Sequence, residues 1–348
     1  MKTRAFIGWD IGGAHLKMAH VDNTGKVIAA HQFPTPIWRD LHILDDALAN
    51  AKKYFPATLT THAITTTAEL SDIFRDRRSG LRALVTKTST MLNNDNMQFY
   101  AGPAGWVDAN KTDQYVNEIA SANWHATASF IAESIKEGIL VDIGSTTTDI
   151  IPFAAGQLLN RGYTDYERLA CNELVYTGIV RTPVMAITSH ALVNGRRQPV
   201  LAEQFATMAD VYRLTGELQE QDDMMLTADG AGKCQLDSAR RLARMFAIDI
   251  SEQANTDMWN KVAHFIAETQ LEKISRAFDQ VRSNMLAKDK PVVIGAGAGR
   301  FLVKKLTQNT GDTYMDFAEI LDASAEIKPH AARSAAAVAV AQLARSAV

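Results

Sequence analysis

Apolar residues open the chain as a short run at 5–9. It gives way to Asp10-Ile11-Gly12-Gly13 and then to the alternation Leu16-Lys17-Met18-Ala19-His20-Val21. An apolar run, a glycine turn and an alternating run predict strand, turn, strand. Asn23-Thr24-Gly25-Lys26 is a second turn, and residues 27–31 a third strand. Within 41–51, Leu44, Leu48 and Ala51 fall on one helical face. Residues 62–65 read as a buried strand. Residues 69–78 and 81–92 read as two helices broken at Ser79-Gly80, and Asn123 is a good N-cap for a helix reaching about Lys136.

The opening pattern then returns. Ile139-Leu140-Val141-Asp142-Ile143-Gly144-Ser145 repeats the strand-Asp-Ile-Gly-small order of the N-terminus, with Asp142 placed 132 residues after Asp10. Each copy runs on into a second strand and a glycine turn, at Gly25 and at Gly156. A period this long is not a solenoid repeat and predicts two similarly folded halves. Residues 203–287 are helical in pattern and would decorate the second half. A last strand at 291–294 leads into Gly295-Ala296-Gly297-Ala298-Gly299, and residues 331–343 predict a closing helix.

Composition narrows the class. The 348 residues are 47% hydrophobic and 22% charged, a globular balance long enough for about two domains. The net charge of −3 gives no general reason to bind nucleic acid or an anionic membrane. Cys171 and Cys234 form no CxxC pair, so a disulfide framework or thiolate metal site is not expected, and a reducing cytoplasm is. No run of 18 apolar residues occurs, and the N-terminus turns acidic before a signal-peptide core develops.

Three segments carry candidate chemistry. In the first turn, Gly12 and Gly13 let backbone N–H groups approach an anion, Asp10 suits a hydrated Mg²⁺, and Lys17 can reach back to a phosphate. A tight hairpin with a solvated Lys17 would use the same residues. The second turn adds Gly144, Ser145, Thr146 and Thr147 as donors and Asp142 as a second carboxylate for the metal. Thr is also a good strand former, but two Asp-Ile-Gly turns at duplicated positions favour a shared phosphate ligand. The third segment, Gly295, Gly297 and Gly299 after a strand, is by itself weak. A dinucleotide fold competes with it, although that fold wants βαβ units in series and a downstream acid.

Together and in this order, the three segments resemble the phosphate loops and adenosine loop of the actin-like ATPase superfamily. That resemblance implies an α/β, ribonuclease H-like fold of two duplicated domains around a central cleft. Domain boundaries at 1–136 (completed by 331–348) and 137–330 (with the 203–287 insertion) are expected. Residues 65–72 (Thr-Thr-Thr-Ala-Glu-Leu-Ser-Asp), 121–124 (Ser-Ala-Asn-Trp) and 176–183 (Tyr-Thr-Gly-Ile-Val-Arg-Thr-Pro) are similar to the hydantoinase/oxoprolinase branch. The chain is too short for a full hydantoinase or oxoprolinase. Its size resembles the compact members linked to tetrahydromethanopterin and methanofuran one-carbon metabolism.

This second resemblance implies a transferase that condenses an aminomethylfuran diphosphate with a (glutamyl)tyramine-type phenol and releases diphosphate. Asp10 and Asp142 would hold Mg²⁺, and Lys17 with residues 145–147 would neutralise the leaving group. Glu69 is the candidate base for the phenol, with a dipole-favoured first-turn residue as its bland alternative. Arg181, Arg75 and Asn123 are candidate substrate contacts. Arg75 stands among charges typical of a solvated helix face, and Asn123 doubles as a helix cap. An ATP/Mg-dependent kinase or amide-activating enzyme is the alternative, and a nucleotide-dependent accessory or switch protein of one-carbon transfer the third reading. ATP binding stays open, as does a homo-oligomer. The expected partner is a small phosphorylated molecule rather than nucleic acid or membrane.

Overall fold

The computed structural model describes residues 4–55, 59–92, 96–250, 256–285 and 290–348. β1 (Arg4–Ile11), β2 (His15–Val21) and β3 (Val27–Pro34) form an antiparallel meander in which Asp10 stands opposite Lys17. α1 (His42–Ala51) turns Leu44, Ala47, Leu48 and Ala51 inward. β4 (Leu59–Thr66) returns parallel to β1, pairing Asp10 with Thr65 and Ile11 with Thr66. α2 (Arg77–Leu92), β5 (Met97–Tyr100), β6 (Trp106–Asp108), the one-turn α3 (Val116–Ile119) and α4 (Asn123–Ser134) follow. The sheet order is β3-β2-β1-β4-β5-β6. Ile7, Trp9, Ile11, Leu16 and Met18 build its core with Leu44, Leu48, Leu81 and Leu84.

Three local expectations change here. Residues 67–76 are successive turns rather than a helix, and α2 runs through Ser79-Gly80 without a break. A Cβ on Gly80 would run into the Glu69 carbonyl, so this glycine is where the loop rests on the helix. Asn123 is the first helical residue of α4, and Ala122 occupies the cap position without a side-chain bond.

The second sheet begins with β7 (Glu137–Ile143) and β8 (Thr148–Ala154). β9 (Gln157–Leu158) pairs with one end of β8. After α5 (Asp165–Ala170), β10 (Leu174–Val175) pairs with the other end. A hairpin of β11 (His190–Val193) and β12 (Arg196–Pro199) precedes α6 (Met208–Leu214), α7 (Gln235–Arg244) and α8 (Asp257–Ser283). Then come β13 (Val292–Ala296), α9 (Arg300–Thr310), β14 (Tyr314–Asp316), α10 (Lys328–Arg333) and α11 (Ala335–Ser346). The order β10-β8-β7-β13-β14 repeats the β3-β2-β1-β4-β5 arrangement, with the helices inserted before β13. The duplication read from the two Asp-Ile-Gly turns is therefore a duplication of topology.

The chain divides into two compact units, residues 1–140 with 151–168 and 315–348, and residues 141–150 with 169–314. Residues 151–168 and 315–330 thus fall in the first unit rather than the second. The physical reasons are local to that unit. The Tyr163 ring packs 5.7 Å from that of Trp124 in α4, and the Val27 N–H donates to the Asp322 carbonyl at 2.8 Å. α11 lies on β1 so closely that a Cβ on Gly8 would overlap the Ala337 carbonyl, which explains an alanine-rich closing helix.

Candidate functional site

In the first unit the chemistry gathers where β1 and the parallel β4 end, the side of an α/β sheet at which ligands bind. The Gly12 N–H donates to His15 O at 3.0 Å and closes the β1–β2 turn. Across it, Lys17 Nζ lies 3.4 Å from Asp10 Oδ2. Asp10 is 3% exposed, and its Oδ1 has no hydrogen-bond partner among the described residues. A buried carboxylate oxygen left open beside a glycine turn suits Mg²⁺, which takes one or two carboxylates and keeps several waters. Among the described residues no three His, Cys, Asp or Glu side chains cluster to form an all-protein metal cage.

The loop after β4 is tied to the same turn. Thr67 N–H and Thr66 Oγ1–H both donate to Ile11 O at 3.0 Å. Thr66 Oγ1 also lies 3.4 Å from Glu69 Oε2, and Ser121 Oγ lies 3.1 Å from Glu69 Oε1. Glu69 is wholly buried, and that burial pushes its carboxyl up to about 7. The rise is opposed by its own backbone N–H, Arg77 and Ser121, and assisted by Asp165. Because residues 67–76 are not helical, no helix dipole accounts for Glu69. Ser121 Oγ is also 3.2 Å from Asp165 Oδ2, which accepts from Arg77 Nη2 at 2.8 Å.

Next to this group is an aromatic one. Trp124 packs edge-on to His125 and Tyr163, and the Arg168 guanidinium stands over the Trp124 ring, 4.3 Å from its centroid. The Tyr100 hydroxyl is 2.9 Å from His125 Nδ1. Burial pulls His125 down to about 4, so its ring is neutral near pH 7.

The second unit carries the other two loops, and they interlock. Gly144 N–H donates to Thr147 O at 2.9 Å, closing the turn after β7 in the manner of the first. The loop after β13 rests on it: Gly299 N–H donates to Ile143 O at 2.8 Å. A Cβ on Gly297, whose φ is +80°, would meet Ile143 O and Asp142 Oδ1. Residues 177–181 close the third side, with Val180 and Arg181 N–H groups donating to Ser145 O at 3.1 and 2.9 Å. A Cβ on Gly178 would press on Thr146 N. Gln270 of α8 anchors this segment through Thr177 Oγ1 at 2.6 Å and Gly178 O at 3.0 Å. Gly144, Ser145, Thr146 and Thr147 stay partly exposed.

Of the sequence candidates, Asp10, Gly12, Gly13, Lys17 and Glu69 meet around the ends of β1 and β4. Asp142, residues 144–147, Arg181, Gly297 and Gly299 meet in the second unit, whereas Gly295 lies within β13 against the Tyr314 ring. Arg75 is exposed in the loop before α2, and it is Arg77 that turns inward to Asp165. Sequence reading passed over Ser121, Asp165 and Gln270. Only the Ser-Ala-Asn-Trp segment singled out at 121–124 pointed toward the first of these.

Paired sheets of matching strand order, each with an Asp-Ile-Gly turn at the end of its first strand, define the actin-like ATPase fold. Solved structures agree. A ROK family glucokinase from Streptomyces griseus, determined with glucose and AMPPNP, aligns over 98% of this chain and 99% of its own with a TM-score of 0.50 at 14% identity. An acetone carboxylase in nucleotide-free form aligns over 98% and 70% with a TM-score of 0.60 at 10% identity. The family profile for Hydantoinase/oxoprolinase matches residues 60–346. The chain belongs to that family. A curated relative from Methanocaldococcus jannaschii, (4-{4-[2-(gamma-L-glutamylamino)ethyl]phenoxymethyl}furan-2-yl)methanamine synthase, is 31% identical over 86% of this chain and 87% of its own. Among the described residues no helix is long and apolar enough to cross a membrane.

Proposed function

We propose that the chain is a transferase of methylofuran assembly that joins an aminomethylfuran diphosphate to a glutamyltyramine-type phenol and releases diphosphate. The observation that carries this reading is the likeness to the M. jannaschii synthase along nearly the whole of both chains. That relative's name describes a phenoxymethyl-furan, an aryl ether. Closing such an ether requires a phenol to lose its proton and the furan-bearing carbon to lose diphosphate.

The residues fit those two demands. Lys17, beside the first glycine turn, suits the developing charge on diphosphate. Mg²⁺ at the open Asp10 oxygen would supply further charge neutralisation to the leaving group. Glu69, with its carboxyl near 7, is matched to take a proton at neutral pH. Arg181 is the anion contact for the glutamyl carboxylate or the diphosphate.

The test is to incubate the purified protein with the furan diphosphate and tyramine-type phenols, with ATP as control, and to follow diphosphate release. Diphosphate from the furan pair supports the reading. ATP consumption in its place assigns a kinase or amide-activating enzyme, and ATP binding without turnover an accessory switch protein.

A further inference from the structure

We propose that the Ser121 hydroxyl carries the substrate proton to Glu69 and afterwards delivers it to Asp165, an inference that rests on the reading of Glu69 as proton acceptor. Glu69 has no exposed surface, so a substrate O–H does not reach its carboxylate directly. Two hydroxyls approach that carboxylate. Thr66 is 3.4 Å away and commits its single proton to Ile11 O at 3.0 Å. Ser121 Oγ instead sits between two carboxylates, 3.1 Å from Glu69 Oε1 and 3.2 Å from Asp165 Oδ2.

A hydroxyl has one proton to give and two lone pairs to accept with. Ser121 therefore donates to only one of these carboxylates at a time, and which one depends on where the extra proton lies. With Glu69 ionised, Ser121 donates to Glu69 Oε1, leaving Asp165 to its 2.8 Å bond from Arg77. As the phenol approaches, its O–H bond breaks and a new Ser121 Oγ–H bond forms. The original Ser121 proton moves to Glu69 Oε1 in the same event. The phenolate oxygen then closes the ether as the carbon–oxygen bond to diphosphate breaks. In the return step Glu69 gives its proton to Ser121 Oγ, and Ser121 passes its own to Asp165 Oδ2. The Asp165 side chain is 26% exposed and loses that proton to water.

The backbone supports a chemical reason for serine here. Ser121 has φ +54°, in the left-handed region where glycine is easier, and it is pinned there by its N–H donating to Thr66 O at 3.1 Å. A position that favours glycine but holds a hydroxyl between two carboxylates is a place where the hydroxyl is used. The charged and titratable groups facing Glu69 are Arg77 and Asp165, and both belong to the relay or its outlet.

Ser121→Gly separates the two roles, because it deletes the hydroxyl while suiting the backbone. Turnover with a tyramine-type phenol should fall about 10²-fold while thermal stability is kept. A nitrophenol analogue, already ionised at the assay pH, should restore turnover to within a few-fold of wild type. Full turnover with the tyramine-type phenol, or equal losses for both phenols, overturns the relay. A second readout needs no reaction. The Glu69 carboxyl band in infrared titration, identified by its loss in Glu69→Gln, should move to higher pH in Ser121→Gly, and an unmoved midpoint also overturns the proposal. If the wild type releases no diphosphate, the proposed reaction falls, and the titration alone then decides whether Ser121 is coupled to Glu69.

Discussion

Lys17 Nζ reaches to 3.4 Å from Asp10 Oδ2, directly across the β1–β2 register, while Asp10 Oδ1 is buried without a partner among the described residues. A carboxylate half neutralised by lysine and half open has one oxygen to offer a metal. Its burial makes any loss of charge felt, since an unpaired buried polar oxygen is costly.

Asp10→Asn keeps the size of the side chain and removes its charge. We expect Mg²⁺-dependent diphosphate binding to weaken by about tenfold to a hundredfold, since hydrogen bonds and contacts to charged groups contribute about 1.5–3 kcal/mol. Asp142→Asn should act in the same direction. Calorimetry with diphosphate, with and without Mg²⁺, measures both, and unchanged affinity in both variants removes the carboxylates from metal binding.

Gly297 has φ +80°, and its missing side chain leaves room for Ile143 O and Asp142 Oδ1. Gly297→Ala should cost about 1–3 kcal/mol for the backbone alone and displace the second loop as well. The expected result is a drop of several degrees in Tm accompanied by weaker phosphate binding. A variant with wild-type Tm would show that the β13 loop is free to move off the β7 turn.

Gln270 is fully buried in α8 and holds Thr177 Oγ1 and Gly178 O, more than ninety residues away in sequence. Gln270→Ala leaves both groups without this partner and opens space beneath residues 177–181. A loss of about 2–4 kcal/mol is expected from the cavity and the unpaired polar groups, read in thermal or denaturant unfolding. Phosphate binding should weaken with it, because Val180 and Arg181 hold Ser145 O through this segment.

What could be read in advance followed from local pattern. The Asp-Ile-Gly turns were legible because a buried strand, a glycine turn and an alternating strand are short-range signals. Their repetition at Asp10 and Asp142 foretold the matching strand orders. Gly80 misled because a glycine within a helical pattern reads as a stop, whereas here it admits the Glu69 carbonyl, a tertiary contact with no local signature. Ser121 and Asp165 escaped for the same reason. They stand 52 and 96 residues from Glu69, and only the folded chain brings three such positions together. Asn123 reads as a cap because its residue type favours that role, but the cap position falls one residue earlier, at Ala122, and Asn123 is the first residue of the helix.

Glu69 yields the sharpest prediction, because its protonation has opposite consequences for stability and for chemistry. Burial raises its carboxyl from the ordinary 4.5 to about 7. Between those values the folded state holds a proton that the unfolded chain has released, so stability falls as pH rises through this window. The contribution is fully present below about 4.5 and gone above about 7, a difference on the order of 3 kcal/mol. Glu69→Gln is neutral at every pH and should lose that slope. Its Tm should match the wild type near pH 4.5 and exceed it above pH 7. Turnover should do the reverse, falling about 10²- to 10⁴-fold at neutral pH and losing its acidic limb, as removal of a general base requires. Thermal unfolding across pH 4.5–8 and diphosphate release in the same buffers measure both effects on one variant. A purely structural Glu69 would give the stability change with turnover intact, and that outcome would remove it from the mechanism.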